Sequence, residues 1–268
     1  MCHDYIVRFS FYFMAKLAAK DKFFDLSDYG RTPGTLFASS LKNTRFTPVH
    51  VTLLFGICGI IAAYCIFADH YISAAIFIII KSIIDAADGE LARVKKTPSY
   101  TGRYLDSVFD IFINLLIIGT IGYVTKSPIY MIILAFIAVQ LQGTLYNYYY
   151  VILRNKSIDG DNTSKVFEYK TPRALHGESQ RAVNILFKAY TFCYVVFDKT
   201  IHFMDKDAYK AKTFPSWFMS LVSLYGLGFQ LLIIAVMLPA GLINYIIPFF
   251  IWYSILLFGL IGIRKYIL

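Results

Sequence analysis

The chain has 268 residues, of which 57% are apolar and 16% charged, and its mean hydropathy of +0.57 excludes an ordinary soluble domain. The formal net charge of +9 would also suit a nucleic-acid-binding protein. The basic residues, however, flank apolar stretches, and the sequence has no nucleic-acid-binding motif. Attraction to anionic lipid headgroups explains the charge more simply, so we expect a membrane protein without a nucleic-acid partner.

Residues 1–45 are predicted to form an N-terminal cytosolic or interfacial segment. Within it, residues 4–24 mix aromatic with basic side chains, a pattern typical of a helix that lies flat on a membrane surface. Thr47 and Pro48 then read as the N-cap and the first position of a helix. No stretch at the N-terminus has the clean apolar core of a cleaved signal.

Residues 46–268 are predicted to form one all-α membrane domain. A helix needs about 20 mostly apolar residues to cross about 30 Å of hydrocarbon. Six segments meet this need, so we expect a polytopic protein with six transmembrane helices, at 48–68, 71–93, 103–125, 128–152, 216–238 and 243–264. A polar insert at 153–215 separates the fourth span from the fifth, and residues 183–204 within it could also lie flat on the membrane.

The basic residues predict the orientation of the chain. The loops at one side of the predicted spans contain only Lys126, and Lys81 lies within a span, whereas the other 24 of the 26 Lys and Arg residues lie at or beyond the opposite ends. The positive-inside rule therefore places both termini and the 153–215 insert in the cytosol. In a prokaryote, the membrane would be the plasma or inner membrane.

Four aspartates lie near the cytosolic ends of the second and third predicted spans. Asp85 and Asp88 share one helix face, and Asp106 and Asp110 share another. The Thr97-Pro98-Ser99 stretch between the two pairs predicts a turn, so the two faces can meet. Converging carboxylates suit Mg²⁺, Mn²⁺ or Ca²⁺ better than zinc or copper.

Neighbouring residues fit an anionic ligand beside such a cation. Gly89, Ala92 and Gly102 leave the same helix faces bare, and Arg93 could bind a phosphate or a nearby carboxylate. Lys81, one turn before Asp85, is predicted to form an ion pair with a buried carboxylate. Glu90 falls off the aspartate face, so we expect it to be a solvated or headgroup-level charge.

The segment from Asp85 to Asp110 matches every fixed position of the signature D-x2-D-G-x2-A-R-x8-G-x3-D-x3-D. It therefore resembles the CDP-alcohol phosphotransferase (phosphatidyltransferase) family of integral membrane phospholipid synthases. The resemblance implies metal ligands at Asp85, Asp88, Asp106 and Asp110, with Asp110 also the general base. It further implies a Mg²⁺ or Mn²⁺ cofactor and leaves a homodimer open. Donor-binding positions implied by the resemblance are Asp88, Gly89, Ala92, Arg93 and Gly102.

The resemblance predicts an enzyme that transfers a phosphatidyl group from CDP-diacylglycerol to a small polar alcohol and releases CMP. Its acceptor would belong to the inositol phosphate, glycerol phosphate or serine class. A phosphorylated acceptor would need basic groups, for which Arg103, Arg154 and Arg173 are available, and Arg154 is the predicted contact. The alternative is a CDP-choline or CDP-ethanolamine phosphotransferase that acts on diacylglycerol. A divalent-cation transporter is a weaker option, because the carboxylates cluster near one side of the membrane.

Overall fold

The computed structural model describes residue 17, residues 21–156, residue 168, residues 170–211 and residues 214–268. All regular structure in these residues is helical, which confirms the all-α class. The α-helices in this part of the chain are α1 (Arg31–Leu41), α2 (Pro48–Phe67), α3 (Tyr71–Lys95), α4 (Tyr100–Val124), α5 (Ile129–Lys156), α6 (Gln180–Met204), α7 (Ser216–Val222), α8 (Leu227–Met237), α9 (Ile243–Tyr253) and α10 (Ile255–Tyr266). Short 3₁₀ helices lie at Leu26–Asp28, Ala208–Lys210 and Ser223–Tyr225.

Helix α2 begins where the sequence predicts. Thr47 is its N-cap, and Thr47 Oγ1 accepts a hydrogen bond from the backbone N–H of His50. The backbone N–H of Thr47 in turn donates to His50 Nδ1 at 3.1 Å, so two of the helix's end groups satisfy each other. Pro48 at the first helical position needs no hydrogen-bond partner for its backbone nitrogen.

Four helices of the described residues are long and apolar enough to cross a membrane. These are α2, α4, α5 through Asn155, and the α9–α10 pair taken together as Ile243–Tyr266; a fifth results if the bent α7–α8 pair is one span. Helix α3 forms over the predicted second span but is not among them, because its C-terminal half carries the charged residues of the aspartate motif. The chain is thus an integral membrane protein, and the predicted count of six spans is not confirmed.

The predicted fifth span is not one straight helix. It divides at Gly226, whose backbone is extended, and the two parts are bent by 53°. The N-terminal segment packs against the break: the Leu26 backbone N–H donates to Ser223 Oγ at 3.0 Å, and Ser27 lies directly against Gly226. Any side chain at Gly226 would collide with Ser27, so the close approach requires glycine.

Helices α2, α3 and α4 pack side by side, and α1 and α8 pack against α3. Gly56 and Gly59 of α2 face Phe109 and Ile113 of α4 with no room for a Cβ atom, as expected for glycines that permit close helix approach. Apolar side chains of α2 to α5, α8 and α9 form the largest buried cluster among the described residues. This cluster lies toward the end of the bundle that is opposite the aspartates. This arrangement holds α3 and α4 in a fixed relation at the level of the aspartates.

The insert at 153–215 packs onto α4 through its described residues. Glu178 Oε1 accepts hydrogen bonds from Ser99 Oγ and from the backbone N–H of Thr101, both at 2.7 Å, and Oε2 accepts from the backbone N–H of Leu175. Burial opposes ionisation of Glu178, but these hydrogen bonds outweigh it and hold the pKa of the carboxyl below its usual value. The insert thereby fixes the N-terminus of the helix that carries Asp106 and Asp110.

The N-terminal interfacial helix expected over residues 4–24 falls almost entirely outside the described residues. Residues 183–204, the second segment expected to lie flat, form part of α6. This helix buries Val183, Phe187 and Ile201 against the bundle and leaves apolar side chains such as Phe192 and Phe203 exposed on its outer face. A helix with one face packed on the protein and exposed apolar side chains on the other is typical of a membrane surface.

Candidate active site

Three of the four aspartates converge at the facing sides of α3 and α4. One carboxylate oxygen from each of Asp85, Asp88 and Asp106 lies within 4.8 Å of the other two. Asp106 Oδ1 is buried and has no hydrogen-bond partner among the described residues. A buried carboxylate oxygen without a partner is costly unless a ligand satisfies it. The all-carboxylate donor set and this unpaired atom therefore fit a hard divalent cation.

Two other side chains fix the orientation of this triad. Thr52 Oγ1 of α2 donates to Asp88 Oδ2 at 2.9 Å. Lys81 Nζ lies 2.6 Å from Asp85 Oδ2 and 2.5 Å from Asp110 Oδ1, with only 1% of the lysine side chain exposed. The predicted ion pair of Lys81 is confirmed, and it extends to a second carboxylate on α4. Partners of this kind hold metal-ligating carboxylates in place.

Replacing Lys81 by methionine should destabilise the protein strongly. The change keeps the volume but leaves Asp85 and Asp110 without the cation between them, and breaking a buried ion pair in this way costs about 3–5 kcal/mol. Thermal unfolding of the purified protein in detergent measures the effect, with the exposed Lys199→Met as the matched control. An unchanged unfolding temperature for Lys81→Met would show that the pair does not hold the two helices together.

Asp110 lies beside the triad rather than in it. Its Oδ1 is held by Lys81, and it is absent from the group of three carboxylates that approach one another. Its side chain instead faces a separate cavity. The assignment of Asp110 as a fourth metal ligand stays a prediction.

A first cavity of about 240 Å³ opens on one side of the triad. All three triad aspartates line it, together with Gly89 and Arg93. A Cβ atom at Gly89 would meet only the Arg93 guanidinium, at 3.6 Å, so glycine leaves this wall open. The opposite wall includes Ser27, Asp28, Gly30 and Gly228. Sequence patterns did not single out these four, because they reach the site only through tertiary packing of the N-terminal segment and α8.

A second cavity, of about 280 Å³, also has Asp106 in its wall. Asp106, Ser107, Asp110 and Asn114 of α4 form part of its wall, and α5, α6 and α8 supply the rest of the described lining. Asp106 is the one aspartate of the motif that lines both cavities. A ligand in each cavity would therefore meet the other beside Asp106.

The expectation that Glu90 is solvated is wrong. Its side chain is only 1% exposed, and its carboxylate lies 3.0 Å from Arg31 Nε and 2.7 Å from Arg93 Nη2. Arg31 comes from α1, 59 residues away in the chain, which is why the sequence pattern of α3 alone did not show the pairing. Arg93 is thus fixed by Glu90 at the edge of the first cavity.

The other predicted binding residues lie outside both cavities. Ala92 lies on the last turns of α3, and Gly102 lies at the start of α4, where its backbone N–H donates to the Ser99 side chain at 2.8 Å. Arg154 lies near the end of α5 and lines neither cavity. The binding roles of these three residues stay predictions.

A comparison with known families agrees with the aspartate motif. A family model described as CDP-alcohol phosphatidyltransferase matches residues 45–257. The chain belongs to the CDP-alcohol phosphatidyltransferase family. No curated protein matches it. Membership in the family makes the protein a membrane-bound transferase of phospholipid synthesis, which acts on a CDP-alcohol donor and an alcohol acceptor.

Proposed function

We propose that the protein transfers a phosphatidyl group from CDP-diacylglycerol to a small polar alcohol and releases CMP. The observation that carries this proposal is the position of Asp106 between two cavities, one beside the carboxylate triad and one beside Asp110. Two substrates bound in these cavities would place a phosphoryl centre and an attacking hydroxyl next to each other. Such positioning supplies a large part of the rate of a bimolecular transfer.

The first cavity is the proposed site of the cytidine diphosphate group. A divalent cation, Mg²⁺ or Mn²⁺, held by Asp85, Asp88 and Asp106 would supply counter-charge to the pyrophosphate and polarise the phosphoryl centre. Arg93, held by Glu90 at the cavity edge, is placed to bind a phosphate oxygen. The open wall at Gly89 lets the nucleotide approach the α3 backbone.

Asp110 is the proposed general base. It faces the second cavity, and its ion pair with Lys81 orients the carboxylate. The acceptor hydroxyl would give its proton to Asp110 as its oxygen bonds to the phosphorus that carries the diacylglycerol. The bond from that phosphorus to CMP breaks in the same step, so a phosphodiester and CMP result.

For the membrane arrangement we propose six spans, with α3 as the second and the α7–α8 pair as the fifth. Helices α1, α2 and α8 pack against α3, so a helix too polar to face lipid can still cross within the bundle. The positive-inside asymmetry supports cytosolic termini and a cytosolic active site. The N-terminal interfacial helix and a homodimer stay predictions.

A substrate screen tests this function. Purified protein in lipid nanodiscs should release CMP from CDP-diacylglycerol when a polar alcohol and Mg²⁺ are present, and excess chelator should stop the release. CDP-choline and CDP-ethanolamine with diacylglycerol form the comparison set. CMP release from that set alone would overturn the proposed donor, and full turnover in excess chelator would overturn the metal requirement.

A further inference from the structure

The second cavity differs from the first in its charge. Its described lining contains carboxylates, amides, hydroxyls and tyrosine rings, and none of these residues is lysine or arginine. Arg103, one of the basic residues available for a phosphorylated acceptor, is engaged elsewhere: its Nη2 lies 2.6 Å from Glu168 Oε1. Arg154 and Arg173 do not line the cavity either. Lys81, the basic side chain next to Asp110, does not line the cavity and is already paired with Asp85 and Asp110. A phosphorylated alcohol would therefore meet the carboxylates of the lining with no basic residue in the described cavity wall to bind its phosphate.

Asp198 places a further carboxylate on the cavity wall. It comes from α6, and no described residue gives it a hydrogen bond or ion pair. Tyr190 and Tyr194, on the same helix, line the cavity with it. The two tyrosine rings are stacked, with centroids 5.1 Å apart. Burial, and then the charge of Glu168, raise the pKa of Asp198 to about 7. A carboxylate beside aromatic faces is an arrangement that binds ammonium groups.

Gln140 provides an independent sign of a ligand. Its side chain is 5% exposed and lines the cavity, and its Nε2 atom has no hydrogen-bond partner among the described residues. A buried amide N–H₂ group without a partner is costly, so a polar ligand is expected to accept a hydrogen bond from it. A hydroxyl or carbonyl oxygen of a small substrate would do so.

We propose that the second cavity binds an amino alcohol that carries no phosphate, with its ammonium group at Asp198 and its hydroxyl at Asp110. This inference rests on the proposed function, because the hydroxyl is the acceptor of the phosphatidyl group. Ethanolamine and serine have this chemistry. The ammonium group of a CDP-ethanolamine donor has the same chemistry. The test must therefore separate a free amino alcohol from a CDP-linked donor.

The test measures CMP release from CDP-diacylglycerol with ethanolamine, serine, inositol, glycerol 3-phosphate or inositol phosphate as the acceptor. An amino alcohol should give the highest kcat/KM. Asp198→Asn should raise the KM of that amino alcohol at least about tenfold, since an ammonium would lose its charged partner, while the KM of CDP-diacylglycerol and kcat change little. Asp207→Asn, at an exposed aspartate outside both cavities, is the matched control. Tyr190→Leu should raise the same KM severalfold and Tyr190→Phe should not, because phenylalanine keeps the ring.

Other outcomes would overturn the inference or the function beneath it. A higher kcat/KM for inositol or for either phosphorylated alcohol, or an unchanged KM in Asp198→Asn, contradicts the amino-alcohol assignment. If Asp198→Asn instead raises the KM of CDP-ethanolamine, with diacylglycerol as the acceptor, Asp198 binds an ammonium group of the donor. That result contradicts an amino-alcohol acceptor. If no substrate pair releases CMP, the proposed function fails. Calorimetric titration of ethanolamine into the wild type and Asp198→Asn still decides whether the ammonium site exists.

Discussion

Asp106→Asn should abolish CMP release almost completely. Asp106 belongs to the carboxylate triad, lines both cavities and has an unpaired buried oxygen, so the change removes charge where two substrates would meet. Lewis-acid stabilisation by a bound cation contributes several kcal/mol, and each 1.36 kcal/mol is a factor of ten in rate, so we expect a loss of about 10³-fold or more.

Initial rates at saturating Mg²⁺ and CDP-diacylglycerol measure this loss. Asp69→Asn is the matched control. It makes the same chemical change at an exposed residue that lies just before the start of α3, outside both cavities. Both variants should elute as monodisperse protein with wild-type unfolding temperatures. Near wild-type turnover by Asp106→Asn would show that the converging carboxylates are not the catalytic centre.

Asp110→Asn should separate chemistry from binding. Asp110 lies outside the triad and faces the second cavity, so the variant should bind Mn²⁺ and CDP-diacylglycerol with affinities within about a factor of two of wild type. Loss of a general base typically costs 10²–10⁴ in rate, and kcat should fall by about this factor. Single-turnover CMP release, together with donor binding, provides the measurement.

Two results would contradict the role of Asp110. Wild-type kcat in Asp110→Asn would place the base elsewhere. A loss of Mn²⁺ affinity as large as that of Asp106→Asn would make Asp110 a metal ligand in solution, as the family resemblance alone suggests. The second result would mean that Asp110 reaches the metal through Oδ2 while Oδ1 stays 2.5 Å from Lys81 Nζ, just as Asp85 is paired with Lys81 and still belongs to the triad.

The elements that the sequence predicts well depend on local regularity. The spacing of Asp85, Asp88 and Asp106 on two helix faces is enough to predict their convergence, since helical periodicity and one turn determine it. The Thr47 cap follows from local hydrogen bonding in the same way. The position of Lys81 beside a carboxylate one turn away is also local.

Features that depend on distant segments were missed or wrong. The buried Glu90 pairs with Arg31 of α1, and Ser27 of the N-terminal segment occupies the space beside the break at Gly226. Asp198 lies within a segment that hydropathy assigns only to the membrane surface, and its place on the second cavity depends on how α6 packs on α4 and α5. Such contacts are set by tertiary packing, and the sequence pattern of one helix does not contain them.

The most direct test of the account is Mn²⁺ binding to the purified protein, measured by electron paramagnetic resonance of free Mn²⁺ in nanodisc samples without substrate. The carboxylate triad predicts saturable binding by the wild type and by Asp69→Asn, competition by Mg²⁺, and loss of binding in Asp106→Asn. Equal Mn²⁺ binding by wild type and Asp106→Asn, or no saturable binding by the wild type with or without CDP-diacylglycerol, would contradict a metal centre at Asp85, Asp88 and Asp106.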